Sequence, residues 1–173
     1  DGWIQLARLY IHSALLPEAQ HALEQALRLD PDNLPAVVSR IELLDKQGKV
    51  DDSRQILATQ LQAHPESAYL QHALGMWLLH HGEREYALLG LSKAVELEPD
   101  NQDYRYDLAT TLHDQEELEA AQRQLEEIVQ RHPANRKARV LLINYWKESG
   151  QLQNVQVLLA QLEQQNPDDP ALQ

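Results

Sequence analysis

The sequence predicts an all-α fold of about five antiparallel helix pairs set one after another, without a sheet. Three observations predict it. Five of the eight prolines, Pro31, Pro65, Pro99, Pro133 and Pro167, fall on one lattice with a 34-residue spacing. Gly48, Gly82 and Gly150 share a second column of that lattice, which Ala14 and Glu116 fill in the other units. Apolar residues recur at three- and four-residue steps and show no sustained alternation in twos, which marks helix faces rather than strands.

The elements follow in order. The first pair is expected over 2–13 and 17–30. Leu6, Leu9 and Tyr10 share a face of its first helix, and Ala19, Leu23, Ala26 and Leu27 a face of its second. Pro17 opens that second helix, where a missing N–H costs no helical hydrogen bond. The second pair covers 34–46 and 51–63, the third 67–81 and 84–97, the fourth 101–114 and 117–131, and the fifth 135–149 and 153–165. Two residues after each lattice proline comes Asn33, Ser67, Asn101, Asn135 or Asp169, side chains that cap the free N–H groups at a helix start. The glycine column supplies the tight turn inside each pair.

Composition narrows the function. Lys and Arg total 15 against 27 Asp and Glu, a net charge of −12, so phosphate backbones and anionic membranes are repelled. Apolar runs fall short of the ~20 residues of a membrane-spanning helix. With no Cys there is no disulfide, thiolate metal site or haem attachment in this segment. The start at Asp1-Gly2-Trp3 reads as a cut from a longer protein.

The residues carry a resemblance. Trp3, Leu6, Ala7, Tyr10, Ala19, Leu23, Ala26 and Pro31 resemble the pattern of the tetratricopeptide repeat family. Leu74, Gly75, Leu78, Ala87, Leu91, Ala94 and Pro99 repeat it, as do Leu108, Ala109, Leu112, Ala121, Leu125 and Pro133. The second and fifth units depart from it. Arg40 and Ile41 replace a Leu-small pair, and Val155 replaces a small residue. The resemblance implies a right-handed superhelical solenoid with units 1–33, 34–67, 68–101, 102–135 and 136–169, first helices on the concave face and second helices on the convex face.

Catalytic and metal readings are weak. His64 and His132 precede lattice prolines at turn surfaces, and His72 and His80 lack the i, i+4 spacing and third ligand of a metal site. Phosphate-cradling glycine loops and a nucleophile elbow are missing, and Ser13, Ser39, Ser53, Ser67, Ser92 and Ser149 have no local catalytic context. The carboxylates around Glu116 and Glu126 form a solvated face, and Trp3, Tyr10 and Trp146 are expected in packing slots. Asp103, Asp107 and Asp114 on one helix are expected to complement Arg136, Lys137, Arg139 and Lys147 on another. The sequence therefore implies no enzyme, no cofactor and no metal.

The resemblance implies a concave face made by Arg8 and His12, then Ser39, Glu42 and Lys46, then Tyr69, His72, Met76 and His80, then Tyr106, Thr110, His113 and Asp114, then Asn144 and Lys147. The family's carboxylate clamp needs Lys, Asn and Arg donors on three successive helices. His72, Met76, Asp107, Lys137 and Leu141 fill those places here, so the clamp is rejected. What is left is a mixed groove for an extended or helical partner peptide, with His72, His80 and His113 sensitive to pH between about 5 and 8. An alternative reading makes the array an assembly segment of a bacterial envelope protein, periplasmic and cytochrome-associated; the sequence does not settle the compartment. Self-association is also expected at an uncapped C-terminal pair, through Val155, Leu158, Leu159 and Leu162.

Overall fold

A computed structural model describes residues 2–165, with side chains described to residue 161. Among the described residues are ten helices and no strand: α1 (Gly2–His12), α2 (Leu16–Leu29), α3 (Leu34–Lys46), α4 (Val50–Ala63), α5 (Ala68–His80), α6 (Arg84–Leu97), α7 (Gln102–Asp114), α8 (Leu118–Arg131), α9 (Arg136–Glu148) and α10 (Leu152–Gln165). Pro167, Asp169 and the side chain of Leu162 lie outside the described residues.

The lattice residues set the helix ends. Asn33, Ser67, Asn101 and Asn135 each accept a backbone N–H two or three residues on, at 2.9–3.3 Å, and so start α3, α5, α7 and α9. Pro17 sits in the first turn of α2. Inside each pair the residue after the turn slot donates its N–H back across the turn. Leu15 reaches Tyr10, Lys49 reaches Leu44, Glu83 reaches Leu78, Glu117 reaches Leu112 and Gln151 reaches Trp146, all within 3.0 Å. This turn needs a left-handed residue. Gly48, Gly82 and Gly150 adopt it at φ 74–78°, and Ala14 and Glu116 are held there at 57° and 64° against the steric preference of an L side chain.

The helices gather into two compact units, Asp1–Leu97 and Glu98–Gln173. In the first, Ala7, Ala19 and Ala87 are wholly buried, because helix axes that approach closely leave no room for more than a methyl group. Closest is the α5–α6 pair: a Cβ on Gly90 would lie 2.9 Å from the Gln71 carbonyl oxygen, and one on Gly75 2.6 Å from Leu91 Cγ. The second unit buries Leu108, Ala109, Ala121, Leu125, Ile128, Ala138, Leu142 and Trp146.

Three expectations need correction. Leu9 is 61 % exposed, because the buried stripe of α1 runs Ile4–Ala7–Ile11 and Leu9 falls off it. Trp3 is 41 % exposed and meets His21 edge-on at 6.5 Å instead of filling a core slot. One lattice step on, Val37 is buried because it packs with Ile41, Leu57 and Trp77. Val155 and Leu158 are buried rather than bare, since they form the inward face of α10, while Leu152, Val157 and Leu159 are exposed.

Candidate functional site

In the first unit α1, α3 and α5 are tied together by one guanidinium. Arg8 Nε donates to Ser39 Oγ at 3.1 Å, and its terminal nitrogen donates to the Tyr69 hydroxyl at 3.0 Å. Ser39 Oγ in turn donates to the Pro35 carbonyl at 2.9 Å. Three residues expected on the concave face, each from a different repeat, are thus brought into one contact chain. Ser39 is only 1 % exposed, so it corrects the expectation of a partner-contacting residue: its hydroxyl orients Arg8 from beneath. Around this row His12, Lys46, Met76 and His80 are exposed, and Glu42 and His72 are half-buried. His12 Nδ1 lies 3.0 Å from the Arg8 carbonyl.

A second polar cluster in this unit was not legible in the sequence. Asp45 Oδ1 accepts from Ser53 Oγ and from Trp77 Nε1 at 3.1 Å, and Asp45 Oδ2 pairs with His81 Nε2 at 3.1 Å. The Trp77 N–H is shared with Ser53 Oγ, also at 3.1 Å, and Arg54 covers the Trp77 ring at 5.4 Å. Ser, His and Asp meet here, yet the carboxylate stands in the middle. The serine donates to that carboxylate and has 0 % exposure, so it has neither a general base nor access to a substrate. The cluster is a buried clasp between α3, α4 and α5. Its one lattice clue is Ser53, which stands in the small-residue column of Ala19, Ala87 and Ala121.

In the second unit His113 stacks on Tyr145, with ring centroids 3.9 Å apart and planes 9° from parallel, and His113 Nε2 lies 2.9 Å from Glu148 Oε2. Lys137 Nζ sits 3.7 Å over the Tyr106 ring. Between α7 and α9, His113 pairs with Glu148, with the acid on α9. Burial, and then the nearby Asp114, Tyr106 and Glu148, push the Tyr145 hydroxyl up to about 12. Thr110 Oγ1 donates to the Asp107 carbonyl, while Asp114, Asn144 and Lys147 are exposed.

Recesses open beside the second helices. One of about 590 Å³ lies between α2, α3 and α4, with another of about 420 Å³ beside it, and one of about 500 Å³ lies between α8, α9 and α10. Among the described residues no group of three His, Cys, Asp or Glu side chains is placed to hold a metal ion. No helix among them is long and apolar enough to cross a membrane.

Comparison with known proteins agrees with this architecture. Residues 15–76 and 88–157 each match a family model described as tetratricopeptide repeat. Human tetratricopeptide repeat protein 7A is 28 % identical over 94 residues, which is 54 % of this chain and 11 % of that protein. The chain thus spans about a tenth of the length of that relative. The solved structure of MamA superposes with a TM-score of 0.67 at 16 % identity, over 97 % of this chain and 93 % of that one. YrrB, described as a tetratricopeptide repeat protein with an unusual peptide-binding site, gives 0.60 at 20 % identity, over 98 % and 88 %.

Proposed function

This chain belongs to the tetratricopeptide repeat family, a fold that generally serves as a protein-binding, non-catalytic scaffold, and from that premise we propose that its first helices bind a peptide or helix of a partner protein. The observation that carries the reading is the Arg8–Ser39–Tyr69 row. A guanidinium fixed by two hydrogen bonds has lost much of its rotamer freedom before a partner arrives, so binding costs less entropy. Its remaining N–H groups suit a carbonyl or carboxylate, and Met76, 41 % exposed, offers an adaptable apolar surface on α5. In the second unit Tyr106, Thr110, His113, Asn144 and Lys147 are the corresponding contact residues. The described peptide-binding site of YrrB, on the same fold, supports the reading.

Site-specific photo-crosslinking in the source organism tests it. A photoreactive residue at Met76 is expected to capture one dominant protein, and Tyr69→Phe, which deletes the acceptor for Arg8, is expected to reduce that yield. The same probe at Tyr86, exposed on α6, serves as control. Equal capture from both positions sinks the proposal.

A further inference from the structure

We propose that the trough between α2 and α4 is a second docking surface, one that takes a peptide segment with apolar side chains flanked by carboxylates. The inference starts from Arg40. Its lattice column holds Leu6, Leu74, Leu108 and Leu142 in the other repeats, and Leu108 and Leu142 are 4 % and 1 % exposed. Leu6 and Leu142 also line recesses, of about 370 and 500 Å³, so what sets Arg40 apart is the guanidinium it brings to such a recess. A guanidinium cannot be sunk into an apolar seam without a partner, so Arg40 stays exposed. Two recesses, about 590 and 420 Å³, both have Leu27 and Arg40 in their walls, so they form one trough running past Arg40. The larger lies within the range of sites that bury ligand side chains.

The trough has a sign as well as a shape. Leu27 and Leu44 make an apolar floor, and Arg28, Arg40 and Lys49 stand at its walls. None of these three side chains has a hydrogen-bond or ion-pair partner among the described residues. Two carboxylates stand at the same walls, one fewer than the cations. Glu24 accepts from Gln20 at 3.0 Å, and Asp52 lies in the first turn of α4, where the helix dipole offsets its charge. Unpaired cations around leucines are a local reversal in a chain whose net charge is −12. A guanidinium beside apolar walls binds a carboxylate through two parallel hydrogen bonds, and the leucine floor takes the neighbouring apolar side chain. A nucleic acid is disfavoured because the rest of the chain repels a polyanion.

Selection from a phage-displayed library of random short peptides tests this on the intact chain. One enriched class is expected to carry Asp or Glu beside Leu, Ile or Phe. Its affinity is expected to fall by about tenfold or more in Arg40→Leu, which installs the residue the other repeats use, and in Arg40→Glu, which reverses the charge at an exposed site. The same peptides are expected to bind Tyr69→Phe unchanged and to weaken as salt rises. Peptides of the first-helix face show the opposite pattern, lost with Tyr69→Phe and kept with Arg40→Leu, so the two surfaces fail or stand separately. The inference is overturned if no enriched peptide depends on Arg40, or if the Arg40-dependent ones bind equally well with Gln in place of their acids.

Discussion

Asp45 with Trp77, and His113 with Tyr145, occupy matching places two repeat lengths apart, yet the two seams are held by different physics. Their aromatic rings are equally buried, at 7 % and 6 % exposure. Around Trp77 the polar edge points inward and is met by Asp45 and Ser53, and the side chains of the Asp45–His81 pair are 9 % and 21 % exposed. Around Tyr145 a stacked imidazole lies alongside, and the ion pair sits at the surface, with His113 25 % and Glu148 59 % exposed. The repeat thus prescribes where an aromatic ring packs and leaves open how its polar neighbours are satisfied. The difference matters because a buried carboxylate that serves several donors weakens all of them when it goes, whereas a surface pair returns to water.

Breaking the two seams gives the largest contrast. Asp45→Ala leaves His81 without its carboxylate and removes one partner each from the Trp77 N–H and Ser53 Oγ, which keep each other and the Val50 carbonyl, and is expected to cost about 2–4 kcal/mol. His113→Ala loses one stacked pair and one exposed ion pair, together about 1 kcal/mol. Amide hydrogen exchange followed separately in α3–α5 and α7–α9 reports each effect in its own unit. Equal losses would remove the distinction between a buried clasp and a surface pair.

A smaller effect concerns how closely helices approach. Gly90→Ala sets a methyl group against backbone, 2.9 Å from the Gln71 carbonyl oxygen and 3.0 Å from Gly75 N, and is expected to cost about 1–3 kcal/mol. Gly75→Ala meets Leu91 Cγ at 2.6 Å and the Ala87 carbonyl oxygen at 3.1 Å, and Leu91 is wholly buried with no room to turn away, so a cost of similar size is expected. Urea titration of the two variants checks this; a variant as stable as the parent contradicts the close approach of α5 and α6.

The same contrast shows what the sequence made legible. Anything fixed by one backbone position and repeated on the lattice was readable: the caps at Asn33, Ser67, Asn101 and Asn135, the turn slots, and helix ends to within about a residue. Anything fixed by side chains meeting across repeats was not. Asp45, Ser53, Trp77 and His81 are scattered over 36 residues and carry no motif, and their meeting depends on how α3, α4 and α5 pack. The first-helix face lies between these cases. Arg8, Ser39 and Tyr69 were placed together by family geometry, but the burial of Ser39 under Arg8 follows from the serine's short side chain turned onto its own helix at the Pro35 carbonyl. Trp3 and Leu9 were misplaced because an apolar residue one helical step off the buried stripe looks the same in sequence as one on it.

Turn slots give a third test, with a stabilising sign. Glu116 is held at φ 64°, in a conformation that Gly82 and Gly150 adopt without strain. Glu116→Gly is expected to raise the stability of the second unit by about 0.5–1 kcal/mol, since the strain relieved slightly exceeds the added freedom of the unfolded chain. Ala14→Gly is expected to do the same, by a smaller amount, in the first unit. Thermal melts that show either variant less stable than the parent would mean that the turn residue makes a contact worth more than its strain.

The smallest expected effect is confined to alkaline pH and to one seam. Tyr145 is pushed up to about 12, first by burial and then by the charges of Asp114, Tyr106 and Glu148, while an unfolded tyrosine titrates near 10. Below about pH 10 both folded and unfolded chains hold the proton, so the contribution of Tyr145 to stability is fully present and flat. Between about 10 and 12 the unfolded chain ionises while the folded one keeps its proton. The unfolded state is then favoured, and the stability of the second unit falls as pH rises. The matching ring of the other seam, Trp77, offers no such proton, because an indole N–H stays neutral. An absorbance titration is therefore expected to show one late-ionising tyrosine, absent in Tyr145→Phe. Urea midpoints measured across that pH window are expected to fall more steeply for the parent than for the Phe variant. Identical slopes would show that the Tyr145 hydroxyl reaches water as freely as an exposed phenol, and the stacked seam would then be an open one.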